Sequence, residues 1–144
     1  MEWSELKAKA KERFNGACRL CPVCNGVVCA GEVPGMGGVG TGMGFRNNVS
    51  ALADIKLNLR TVHRVNSPIM ATALFGQEMS MPVLAAAVGG TAMNMKCTMS
   101  EAEYSAAVVT GSVQSGVLAM TGDGPNPEVF QGGLAAIKAE QGKG

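Results

Sequence analysis

Four thiols within twelve residues are the densest reactive cluster in this chain. Cys18, Cys21, Cys24 and Cys29 lie in CRLCPVCNGVVC, with two, two and four residues between successive cysteines. Thiolates favour soft ions and iron–sulfur clusters, so the run suits zinc or an iron–sulfur cluster held by these four residues. It departs from the bacterial cluster run in its last gap and in lacking a proline after the last cysteine. Zinc sites more often set two CxxC pairs farther apart. Reversible disulfide chemistry and four ordinary loop thiols are the alternatives. Cys97 is isolated and reads as structural.

Other motifs are weaker. Gly35-x-Gly37-x-x-Gly40 matches the dinucleotide fingerprint as text, but no strand leads into it, and proline and cysteines occupy that place. Six glycines fall between Gly35 and Gly44, so a chance match is cheap. The stretch reads as a flexible or ligand-covering loop. His63, the only histidine, sits in RTVHRV without a Ser, Cys or Asp motif around it. Arg60, His63 and Arg64 read as solvated charges. No P-loop, HExxH or catalytic triad is present.

The elements that must position these residues follow from pattern. Residues 3–14 read as a charged helix with Ser4 as N-cap and a favourable Glu5-to-Lys9 pair. Residues 15–44 form a long loop that something must tie down. A second helix is expected from about Asn48 to Leu57, capped by Asn47, with Val49, Leu52 and Ile55 at helical spacing. Arg60 to Val65 is a short extended piece. Thr72–Phe75, Gly76-Gln77 and Glu78–Met81 read as a small hairpin.

Pro82 to Val88 is an apolar run without alternation, as expected for a strand buried on both faces. Gly89-Gly90 ends it. Ser100 and Glu103 form a capping box that opens a helix to Gln114, with Glu101 favourable near the helix dipole and Gly116 as the stop. Val117 to Thr121 gives a second apolar strand, and Gly122-Asp123-Gly124 turns the chain. Asn126-Pro127-Glu128 opens a last helix in the order cap, N1 proline, acid, and Gly142 is its expected C-cap. Strand–helix–strand–helix with long crossovers indicates an α/β architecture with parallel strands.

Composition narrows the function. Twelve Lys+Arg against eleven Asp+Glu give a net charge of +1, and aromatics are 4% of residues. Neither a field for nucleic acid or an anionic membrane nor a base-stacking surface is available. The polar start MEWSELK is no secretory signal, and the longest apolar run is too short to span a bilayer. A soluble cytoplasmic protein with reduced thiols is expected.

The joined segments FRNNVSALADIKLNLRTVHRV, TALFGQEMSMPVLAAAVGG and SEAEYSAAVVTGSVQSGVLAMTGDG resemble, in order and spacing, the FMN-dependent 2-hydroxy-acid oxidase/dehydrogenase family. That family has an asparagine-bearing helix, an arginine-bearing extended piece, a T-x-x-hydrophobic-G segment leading to Met/Leu-Pro, a helix opened by Glu and a Gly-led second strand. Here they correspond to Asn48, Arg60, Thr72 to Gly76, Met81-Pro82, Glu101 to Glu103 and Gly116. The match covers about residues 45–140, and the cysteine-rich extension looks like one seen in some anaerobe relatives.

The resemblance implies the first two βα units of a (β/α)8 barrel over residues 45–144, preceded by a helix and Cys/Gly-rich extension over 1–44. It implies FMN at the carboxyl ends of the strands. Backbone contacts to the flavin map to Ala86, Ala87, Val88 and Gly89, where Ala-Ala-Val-Gly replaces the usual Ala-Pro-Thr-Ala. A flavin-facing serine position maps to Gly122, with Thr121 and Asp123 beside it. The family tyrosine ahead of the N-terminal helix has no counterpart. The family's histidine base, carboxylate-binding arginine, flavin lysine and phosphate-binding glycines lie on later strands, and a full barrel takes about 250 residues. The expected activity is oxidation of a small-molecule 2-hydroxy acid to a 2-oxo acid. This chain is expected to be a fragment that is inactive alone, and its expected partner is a second chain supplying the rest of the barrel, or further copies of itself in a homo-oligomer.

Overall fold

In the computed structural model, which describes residues 2–33 and 35–141, Ser100 opens a helix by the reciprocal bonds its sequence promises. Its Oγ accepts from the Glu103 amide at 3.2 Å, and the Glu103 carboxylate accepts from the Ser100 amide at 2.8 Å. This helix, α4 (Glu101–Gln114), belongs to the second of two compact units. The first unit comprises Met1–Leu59 and Thr91–Met99, the second Arg60–Gly90 and Ser100–Gly144.

The second unit holds β1 (Thr72–Leu74), β2 (Gln77–Met79), β3 (Leu84–Ala85), α4, β4 (Leu118–Ala119) and α5 (Pro127–Glu140). Gly116, at φ +65, ends α4 with paired bonds, Gly116 N to Val113 O and Val117 N to Ser112 O, both 3.0 Å. The chain then enters β4, which pairs in parallel with β3 through Leu84↔Leu118 and Ala85↔Ala119. Asn126 caps α5 by accepting from the Glu128 amide at 3.1 Å, with Pro127 in the first turn. Gly142, the expected C-cap, lies outside the described residues.

Val109, Val129 and Ala136 make the apolar core between α4 and α5. The helices approach closely: a Cβ at Gly132 would lie 3.1 Å from the Ala102 Cα. The expected parallel βαβα order is present. The strands are far shorter than the apolar runs, however, and no closed barrel forms among the described residues. Val83 is 56% exposed and Leu84 37%, so the expected burial on both faces is corrected: no further strand covers this pair among the described residues.

The hairpin is antiparallel with Leu74↔Gln77 as its last pair. Its turn is Phe75-Gly76, one residue earlier than expected, because both residues have positive φ (52° and 77°), as a two-residue type I′ turn requires.

The first unit holds α1 (Trp3–Arg13), α2 (Met43–Asp54) and the short α3 (Thr91–Met95). Glu2, not Ser4, occupies the N-cap of α1 and makes no side-chain cap bond. The Lys7 ammonium lies 5.3 Å from the Trp3 ring centroid. α2 starts five residues before the expected Asn48, from a left-handed Gly42, and Ile55 turns extended before Leu57 is reached. An Arg46 guanidinium bond to Thr41 O, 2.8 Å, ties this earlier start to the preceding loop.

Candidate functional site

Parallel pairing brings two strand ends together. The ladder finishes with the Met120 amide donating to Ala85 O at 3.0 Å. Ala86, Ala87 and Val88 run past it with exposed residues, and Gly89 follows half-buried. Beside them, Thr121 and the buried Gly122 leave β4, and the exposed Asp123 follows. Contact here is backbone to backbone: a Cβ at Gly122 would lie 2.5 Å from the Val88 carbonyl oxygen and 2.6 Å from the Gly89 Cα. Only glycine permits that approach. The seven residues assigned to a cofactor from the sequence therefore occupy one neighbourhood.

The two polar side chains beside Gly122 differ in direction. Thr121 faces α5, since a Cβ at Gly133 would lie 2.7 Å from its Oγ1. Asp123 stays exposed, with one oxygen accepting from the Gly124 amide at 2.7 Å. Asp123 is thus the freer of the two.

Behind the tips sits a carboxylate whose place in the first turn of α4 marks it only as a dipole partner. Glu101 is 8% exposed and accepts from the Gly90 amide at 3.2 Å. Burial, and then the Glu101 charge, push the Tyr104 phenol above its ordinary range. The sequence held a signal for this: Glu103 is the capping-box acid, which leaves Glu101 for another partner.

In the first unit, the four cysteines line one cavity of about 510 Å³, walled in part by Trp3 and Leu6. All five cysteines are unpaired, and Cys97 Sγ accepts from the Met99 amide at 3.4 Å. No group of three or more His, Cys, Asp or Glu side chains among the described residues is placed to hold a metal. The expected zinc or iron–sulfur site at Cys18, Cys21, Cys24 and Cys29 is therefore not supported by the described residues. A shared ion needs every sulfur about 2.3 Å from one point. The loop instead turns at Leu20 (φ 49°) and Gly26 (φ 71°), leaving the thiols around a cavity wall.

Arg19, between two of the cysteines in sequence, makes a two-pronged bond to Glu32, one arm being Nη2 to Oε1 at 2.6 Å. Hydrogen bonding to Arg19 holds the Glu32 carboxyl below its usual range. The glycine stretch, expected to be flexible or ligand-covering, packs on this loop: the Gly31 amide donates to Gly38 O at 2.9 Å. A Cβ at Gly37 would sit 2.4 Å from the Cys29 carbonyl oxygen. His63 is exposed, and its Nδ1 accepts from the nearby Val65 amide at 3.2 Å. That is a local turn bond.

Open backbone beyond the carboxyl ends of neighbouring parallel strands is where α/β proteins hold cofactors and substrates. The chain belongs to the FMN-dependent dehydrogenase family, whose model matches residues 35–122, more than half of its length. It is thereby a member of an oxidoreductase family that uses FMN. No curated protein and no solved structure matches it. No helix among the described residues is long and apolar enough to cross a membrane. The strand tips fit a flavin in one respect: Ala86, Ala87 and Gly89 carry a methyl or nothing, leaving peptide groups approachable by a flat ring.

Proposed function

We propose that this chain contributes the first two βα units of an FMN-dependent barrel that oxidises a 2-hydroxy acid to a 2-oxo acid. The observation carrying this reading is the meeting of Ala86–Gly89 with Thr121–Asp123 at the ends of a parallel pair. In it, peptide groups of Ala86, Ala87, Val88 and Gly89 hold the flavin ring, and Gly122 keeps the second tip close. Asp123 takes the polar position that the family gives to serine. FMN, when bound, supplies the two-electron acceptor for the substrate Cα–H. These residues orient and shield; none is placed to move the substrate's proton.

The base and the substrate-binding cations of the family have no counterpart among these 144 residues. A second chain or a longer polypeptide supplies them in this reading. The chain by itself is expected to bind FMN weakly and to leave lactate and glycolate unoxidised. Nuclear magnetic resonance of ¹⁵N-labelled chain titrated with FMN tests this. Amide shifts should concentrate at residues 86–89 and 121–123. Shifts centred elsewhere, or turnover by the isolated chain, would refute the proposal.

A further inference from the structure

The first turn of α4 carries two acids with different surroundings. Glu103 is exposed and closes the capping box on Ser100. Glu101 adds nothing to that box: it is 8% exposed, and its Oε2 reaches back across the loop to the Gly90 amide. Burying a carboxylate is costly unless it is well bonded. A carboxylate acceptor makes a stronger bond to a peptide N–H than a neutral acceptor does. Such a bond joins the first turn of α4 to the glycine pair that follows Ala86–Val88.

The position of that glycine pair gives the bond its consequence. Gly89-Gly90 follows directly on Ala86–Val88, which lie beyond the last rung of the ladder. This stretch is held at both ends, Ala85 in the strand and Gly90 by Glu101. Between these anchors, Val88 and Gly89 press against Gly122. The base of α4 is itself fixed, because Gly132 of α5 packs on the backbone of Glu101 and Ala102.

We propose that Glu101 is a positioning residue for the cofactor site: its carboxylate clamps the Gly90 amide and so sets the Ala86–Gly89 tip against Gly122. The flavin part of this rests on the reading above; the clamp itself does not. Glu101 touches no reacting atom in this account. It acts through the peptide groups that it holds in register.

Backbone hydrogen exchange and FMN affinity, measured on the full chain and on Glu101→Gln, Glu101→Ala and Glu103→Ala, decide the matter. Glu101→Ala should speed Gly90 exchange about tenfold relative to Val109 inside α4, and weaken FMN about fivefold. Glu101→Gln, which keeps an acceptor of the same length, should recover most of both and serves if the alanine variant does not fold. Glu103→Ala should leave the Gly90-to-Val109 ratio unchanged.

Gly90 exchange that is unaltered, or that merely follows Val109, overturns the clamp. Faster Gly90 exchange with unaltered FMN affinity overturns the positioning role. If the unsubstituted chain shows no FMN-induced shift, the cofactor reading and the positioning role fall together. Gly90 exchange then shows separately whether the clamp stands.

Discussion

Tyr104 is the chain's only tyrosine, so its ionisation can be followed without ambiguity. Burial and the neighbouring Glu101 charge both disfavour the phenolate, raising the folded-state value above the usual phenol range near 10. A raised value means that the neutral phenol is favoured by folding. That contribution is complete below the unfolded value and is lost as pH climbs through the folded one. Tyrosinate absorbance should therefore appear at higher pH in the folded chain than in urea, and Glu101→Gln should narrow the difference. Coincident titrations would contradict the placement of Tyr104. Residue-scale chemistry was only partly legible. CxxC spacing announced the thiols but not that they line a cavity beside Trp3 and Leu6, in a loop with a left-handed turn at Leu20 that no propensity signals. The capping box claims Glu103 and so marks Glu101 as the first-turn acid with another partner to find, but nothing in the sequence names Gly90 as that partner.

Elements were legible where a side chain fixes them locally. The capping box of α4, its glycine stop and the Asn-Pro-Glu start of α5 all stand where their residues require. The start of α2 was misplaced because Gly42 offers no side chain to mark a cap, and α3 was missed because five residues carry little periodicity. Strand lengths were overread: an apolar run states what a residue can bury, while the ladder's length depends on a neighbour far away in sequence. The hairpin turn carries its own prediction. Phe75 is 81% exposed and held at φ 52°, a conformation that asparagine tolerates better than phenylalanine. Phe75→Asn should stabilise the chain by about 0.5–1 kcal/mol, read as a higher urea midpoint. An unchanged or lower midpoint would show that the turn is not strained.

At the scale of the molecule, the family match and the parallel pair agree on an α/β flavoprotein lineage, while the second unit leaves apolar strand surface uncovered. Val83 (56%), Leu84 (37%) and Val88 (40%) flank a pair with two open edges among the described residues. Such edges invite pairing with another chain. The isolated chain should self-associate as its concentration rises, and Val83→Lys should reduce that in sedimentation velocity. Concentration-independent sedimentation of the unsubstituted chain would mean that this surface does not drive association.

The near-contact of Gly122 with Val88 and Gly89 leaves a gap that one hydrogen fills and a methyl group does not. Even alanine at 122 would have to wedge the two tips apart. Whatever molecule rests on one tip consequently meets both as a single ledge, whose width is fixed by the smallest substituent a peptide can carry.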